Sequence, residues 1–175
     1  VVNQKEGTIN FENMDIKHKN TGAVVQMNGL VTVNMTDVNI DASDGTAYNY
    51  ALLNTLAIDG TTTLNLTRVN AKMSVGSPAK ANEAGIIRTG NTGGTKEVNI
   101  NLVDCNLDTT EASGRQCIVV MKNTVATINA TNSTFKSGDS YAIWACEQSK
   151  AQTLTMNNCT ATATGEKSAK SPVEG

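Results

Sequence analysis

Apolar and polar positions alternate with period two along six separate stretches of this chain, and the six share one register. The first is Thr8-Ile9-Asn10-Phe11-Glu12, and the others start at Thr32, Thr63, Asn99, Thr127 and Thr153. Their second positions are Ile9, Val33, Leu64, Ile100, Ile128 and Leu154. Their third positions are Asn10, Asn34, Asn65, Asn101, Asn129 and Thr155, and their fourth are Phe11, Met35, Leu66, Leu102, Ala130 and Met156. Such alternation predicts strands with the second and fourth positions inside and the first, third and fifth in solvent. Repetition in one register predicts a solenoid, in which each turn buries its apolar columns against the next.

One residue follows each of these strands before a further segment begins: Asn13, Asp37, Arg68, Asp104, Asn132 or Asn158. Five of the six are Asn or Asp, which tolerate a left-handed backbone at a tight corner. Beyond the corner the inward positions read Met14, Val38, Val69, Cys105, Ser133 and Cys159, then Ile16, Ile40, Ala71, Leu107, Phe135 and Ala161. The next column, Lys17, Asp41, Lys72, Asp108 and Lys136, alternates in sign, as stacked strands about 4.8 Å apart require if like charges are not to face each other.

Five apolar stretches complete the repeat, containing Ala23–Met27, Ala51–Thr55, Gly85–Thr89, Cys117–Met121 and Ala142–Cys146. Consecutive residues here are both aliphatic. Strict alternation admits only one of the two columns to the core. Placing Val25, Leu53, Ile87, Val119 and Trp144 inside spares the core Gln26, Asn54 and Arg88. Val24, Leu52, Ile86, Ile118 and Ile143 then form an outward aliphatic stripe, which either marks an interface or is covered by the loops between strands or by a further part of the chain. That reading changes if the strand ends early and the polar column leaves the core.

Each turn thus predicts three short strands, and column spacing puts 24 to 36 residues in a turn, the variation falling in loops. Segments of the type Thr8–Ile16, with a one-residue Asn or Asp corner and an intervening apolar strand, resemble the right-handed parallel β-helix of the pectate-lyase superfamily over residues 8–162. The resemblance implies an all-β, right-handed parallel β-helix of about six rungs and about 28 Å in length. It does not imply one activity, since that fold carries lyases, hydrolases, tailspikes, adhesins and passenger domains. A β-sandwich with hairpins at Asn28-Gly29, Asp44-Gly45 and Asp59-Gly60 is the rival, but those turn signals stop where the repeat continues.

Composition fits the solenoid. Aromatic residues make up 3% of the 175 residues, too few for an ordinary globular core but enough for a narrow interior of stacked aliphatics. The whole chain reads as one domain, residues 1–175, expected to be a piece of a longer protein, with 163–175 as a polar tail or linker. A net charge of −2 supplies no basic stripe for nucleic acid. No apolar run reaches the ~20 residues of a membrane-spanning helix. Cys105, Cys117, Cys146 and Cys159 form no CxxC pair and have no histidine at metal spacing, so no metal or cofactor is expected. Cys105 and Cys159 share a column two rungs apart, beyond disulfide reach, and all four read as reduced, small apolar residues.

No column supplies the paired titratable groups of general acid-base chemistry. His18 reads as a solvated surface residue, Asp41–Gly45 as a polar turn without the closing Glu of a calcium loop, and Asp139 and Glu147 as loop solvation. The sequons at Asn34, Asn65, Asn129, Asn132 and Asn158 follow from the strand pattern itself. One surface is suited to a ligand: the outer grid of Thr32, Asn34, Thr36, Thr63, Asn65, Thr67, Thr127, Asn129 and Thr131, though cross-strand Thr and Asn pairs also simply stabilise a sheet. The expectation is a non-enzymatic structural or adhesive module of a secreted or cell-surface bacterial protein, meeting carbohydrate or a host surface. Alternatives are a carbohydrate-processing β-helix with a cleft at Glu83–Gly94 and Gly138–Tyr141, and a filament or surface-layer subunit associating through solenoid ends or the aliphatic stripe.

Overall fold

The computed structural model describes residues 2–19, 22–43, 51–55, 60–74, 85–89, 96–112, 114–121, 124–138, 141–145, 151–163 and 173–174. Among them the elements are strands: β1 (Val2–Lys17), β2 (Val25–Ala42), β3 (Ala51–Thr55), β4 (Thr61–Met73), β5 (Gly85–Thr89), β6 (Lys96–Val103) and β7 (Asn106–Thr109). They continue with β8 (Gln116–Val120), β9 (Thr124–Thr131), β10 (Thr134–Ser137), β11 (Ile143–Ala145), β12 (Gln152–Asn157), β13 (Thr160–Ala163) and β14 (Val173–Glu174). Every pairing is parallel. The fold is a parallel β-solenoid.

Three faces result. On the second, β1, β2, β4, β6, β9 and β12 stack in chain order and in the register of the repeat: Ile9 beside Val33, then Leu64, Ile100, Ile128 and Leu154. On the third face β1, β2 and β4 continue past the corner and are followed by β7, β10 and β13. The first face stacks the start of β1 and of β2, then β3, β5, β8, β11 and β14. Residues Val173 and Glu174, within the stretch read as a tail, therefore pair as a strand.

Six layers stack, and the inner four are sealed. Val33, Leu64, Ile100 and Ile128 are buried, as are Met35, Leu66, Leu102 and Ala130, whereas Ile9 and Phe11 at one end and Leu154 and Met156 at the other keep partial exposure. Cys105 and Cys117 are buried and Cys159 half-buried, all three as free thiols. Burial pushes the Cys117 thiol up to about 12 and raises that of Cys105. Cys146 lies outside the described residues.

All six corner residues adopt the left-handed backbone, with φ between 49° and 55°. Arg68 is the exception in type, and its neighbours account for it. It sits in a column between Asp37 and Asp104, and its Nε and Nη2 donate to both oxygens of Asp37 at 2.6 and 2.8 Å. A cation there separates two acids that would otherwise lie in nearby layers, which offsets the poorer fit of Arg to a left-handed corner.

The first face departs from expectation in two respects. β8 is shifted by one residue, so that Ile118 pairs with Ile87 and Ile143, and Val119 with Arg88 and Trp144. No exposed stripe is present: Val24, Leu52, Ile86, Ile118 and Ile143 are all buried, in one core cluster with Val25, Leu53 and Ile87. Both columns are buried, although successive residues of a strand point to opposite sides of it. Beside them the Cys117 thiol lies 3.2 Å from the Leu107 carbonyl and 3.3 Å from that of Lys136. Gln26 and Asn54 exchange hydrogen bonds at 2.9 and 3.1 Å, and Arg88 Nη1 donates to Asn54 at 3.4 Å. Yet Asn54 and Arg88 are buried too, so both sides of this face are covered.

Candidate functional site

The outer side of the second face is built from amide ladders. Asn34 Nδ2 donates to Asn10 Oδ1 at 2.8 Å, Asn65 to Asn34 at 2.9 Å, Asn101 to Asn65 at 2.9 Å and Asn129 to Asn101 at 3.1 Å. Strand stacking fixes this pattern, since identical amides one layer apart satisfy each other, as in stacked Asn ladders of cross-β structures. Asn34 and Asn65 of the Thr/Asn grid thus use donor and acceptor on adjacent layers, and Asn129 its donor. Thr32, Thr36, Thr63, Thr67, Thr127 and Thr131 flank them, half-buried. The grid is present as a surface, with its amides already engaged.

A second ladder runs along the third face, where Asn70 donates to Asn39 at 3.1 Å and Asn39 to Asp15 at 2.8 Å. It forms one wall of a groove of about 200 Å³ lined by Asn39, Asn70 and Asn106 on one side and Asp41, Lys72 and Asp108 on the other, with Ile40 and Ala71 between. The expected charge column is in register here: Lys17 beside Asp41, then Lys72, Asp108 and Lys136.

The groove's acids are engaged in turns. Asp41 Oδ1 accepts from the Ser43 backbone at 3.0 Å and from the Ser43 hydroxyl. Asp108 Oδ1 accepts from the Thr110 backbone at 2.9 Å and its hydroxyl at 2.6 Å. This is the same Asp-x-Ser/Thr turn twice, two layers apart. The Ser43 bonds hold the Asp41 carboxyl below the usual carboxylate range, helped by Lys17 and Lys72. Lys72 reaches out of the column to Glu111 at 2.9 Å, which raises its pKa. A general acid needs a carboxyl shifted upward; Asp41 is shifted downward. The groove offers hydrogen-bonding groups and a charge pattern, a binding surface more than a proton-transfer site.

Elsewhere the residues singled out from sequence fall apart. His18 is buried, at 6% exposure, which corrects the expectation of a solvated residue. Its Nε2 donates to the Gly22 carbonyl at 2.6 Å and its backbone to Asp41 at 2.9 Å, so it fastens the loop leaving β1. The described part of Asp41–Gly45 is the Ser43 turn just given, with Asp44 and Gly45 outside the described residues, as are Glu83, Asp139 and Glu147. Among the described residues no group of three metal-ligating side chains converges. Sequence reading missed Arg115, wholly buried at the head of β8, where its carbonyl accepts from Thr109 and Ser137 hydroxyls, each at 2.9 Å. It also missed the Asn–Asp–Lys groove, although the alternating charge column was its visible signal. No protein-family model, no curated protein and no solved structure matches this chain.

Proposed function

We propose that this chain is a non-catalytic β-solenoid module, structural or adhesive, of a secreted or cell-surface protein. One observation carries the reading: the outward polar side chains spend their hydrogen bonds on the neighbouring layer or on local turns, from Asn10 through Asn129 and at Asp41 and Asp108. Side chains fixed in this way stiffen a rod and display a regular surface; catalysis needs titratable groups poised away from their resting state. The extracellular setting, and kinship with pectate-lyase-like β-helices, rest on the resemblance of the rung pattern. Incubation with pectin, alginate and host-type glycans, read for unsaturated products and reducing ends, should show no turnover. Turnover abolished by Asp41→Asn or Lys72→Ala would overturn the proposal.

A second reading, carbohydrate binding, is favoured by the groove itself. Asn106 adds a half-buried amide beyond the Asn70–Asn39 ladder, and layer spacing near 4.8 Å is close to the length of one sugar residue. A glycan array on the wild type and on Asn106→Ala tests it, with loss of signal in the variant as the expected result.

A further inference from the structure

The amide ladder of the third face stops inside the groove, and we infer from that break that the groove takes an uncharged, hydroxyl-rich glycan and not a uronate. The inference rests on the carbohydrate-binding reading above and names its ligand class. On the second face the ladder is closed between β4 and β6, where Asn101 donates to Asn65 at 2.9 Å. On the third face the same two layers place Asn70 and Asn106 in register, on β4 and β7. Asn70 donates to Asn39 at 3.1 Å, but its own Oδ1 accepts nothing, and the Asn106 side chain makes no hydrogen bond to any described residue. Layer spacing is common to both faces. The side chains themselves part here, and both line the groove.

One acceptor, Asn70 Oδ1, and one donor, Asn106 Nδ2, therefore belong to adjacent layers of one groove. A hydroxyl donates and accepts at a single oxygen. With bonds of about 2.8 and 2.9 Å it reaches across ~5.7 Å, enough to bridge layers ~4.8 Å apart. A peptide group cannot do this through one atom, because its N–H only donates and its C=O only accepts. The carboxylates add to the same bias. Asp41 and Asp108 receive their turn bonds on Oδ1, which leaves Oδ2 of each as an acceptor on the other side of the groove. The cation between them, Lys72, is held by Glu111 at 2.9 Å. Lys17 and Lys136 stand one layer beyond at either end, outside the groove lining. Acceptors thus outnumber donors along three layers, a span of ~10 Å or about two sugar residues. Sugar hydroxyls supply the missing donors, whereas a uronate sets a further carboxylate against Asp41 and Asp108.

The test titrates the full chain with neutral gluco-, manno- and N-acetylglucosamine oligosaccharides and with oligogalacturonate and oligoalginate, read by calorimetry and by side-chain amide NMR. At least one neutral series should bind and shift the Asn70 and Asn106 amide signals. The uronates should bind about tenfold more weakly or not at all. Asn70→Asp keeps the acceptor and Asn106→Asp removes the donor, while both add the same charge to the same groove. Asn106→Asp should weaken neutral binding about tenfold or more, and Asn70→Asp should weaken it less. If Asn106→Asp does not fold, Asn106→Ala carries the same expectation, with Asn129→Asp on the second face as a control that leaves binding unchanged. Uronates that bind as tightly as the neutral series, or equal losses from Asn70→Asp and Asn106→Asp, overturn this inference and leave the carbohydrate-binding reading standing. Binding of neither kind of oligosaccharide overturns both.

Discussion

The second and first faces are made by the same chain in the same layers, yet only one of them obeys simple alternation. On the second face, β2, β4 and β9 alternate buried residues with half-buried or exposed ones, with Val33 and Met35 in and Thr32, Asn34 and Thr36 out. On the first face, β3, β5 and β8 are buried at all five positions. A strand covered on one side leaves a period-two trace in the sequence; a strand covered on both sides leaves a continuous apolar run. Leu52-Leu53 and Ile86-Ile87 are such runs, and nothing in them says which residue faces the core.

The largest test of this contrast is Leu52→Ala. As a core residue it should cost about 2–5 kcal/mol in chemical denaturation, through lost burial and the cavity left behind. An outward stripe at the surface would have made the change nearly neutral. A result within about 0.5 kcal/mol of wild type would return Leu52 to the exterior and undo the account of the first face.

The contrast also explains what could be read from the sequence. The register of the second and third faces was legible because three independent signals coincide: apolar alternation, the Asn/Asp corner and the sign-alternating column from Lys17 to Lys136. The corner of the first face has no such mark. The register of β8 slipped by one because Cys117-Ile118-Val119-Val120 is apolar throughout and any offset fits it. His18 was misplaced for a different reason. Its burial depends on the return of the chain at Gly22, a contact that periodicity cannot encode. The groove was half visible: the charge column placed Asp41, Lys72 and Asp108 together, but the turns formed with Ser43 and Thr110 decide that the carboxylates are engaged.

Next in size is the corner. Asn132→Val puts a β-branched residue at φ 50° and removes the acceptor for Asn158. It should cost about 2 kcal/mol, most of it from the left-handed backbone, whereas Asn132→Gly should cost less. Equal losses from the two would mean that the side-chain bond, and not the backbone, sets the corner. The ladder comes third. Asn65→Ala breaks one donated and one accepted bond and should cost about 1–2 kcal/mol, against a change within about 0.5 kcal/mol for the neighbouring Thr63→Ala. A double cycle with Asn34→Ala should show less than additive loss, since the two share a bond. Additivity would reduce the ladder to a crystallographic-style regularity without energetic weight.

The smallest effect is the response to acid, and it too separates turn from column. Asp41 is held below the usual carboxylate range chiefly by the Ser43 hydroxyl and backbone, with the lysine charges of the column contributing less. The unfolded chain therefore binds a proton at Asp41 at a higher pH than the folded one does. The resulting stability is present above the ordinary carboxylate range and is lost as pH falls through the lowered folded value. Ser43→Ala removes the larger cause and should flatten the acid limb of the stability profile, while Lys72→Ala should change it less. Asp37 behaves in the same sense through its bidentate contact with Arg68, so Arg68→Asn supplies an independent reference outside the groove. Both pairs are exposed, and added salt should shrink the Arg68 and Lys72 effects while leaving the Ser43 effect in place. If Lys72→Ala flattened the acid limb more than Ser43→Ala, the charge column, and not the turn, would be what keeps Asp41 ionised.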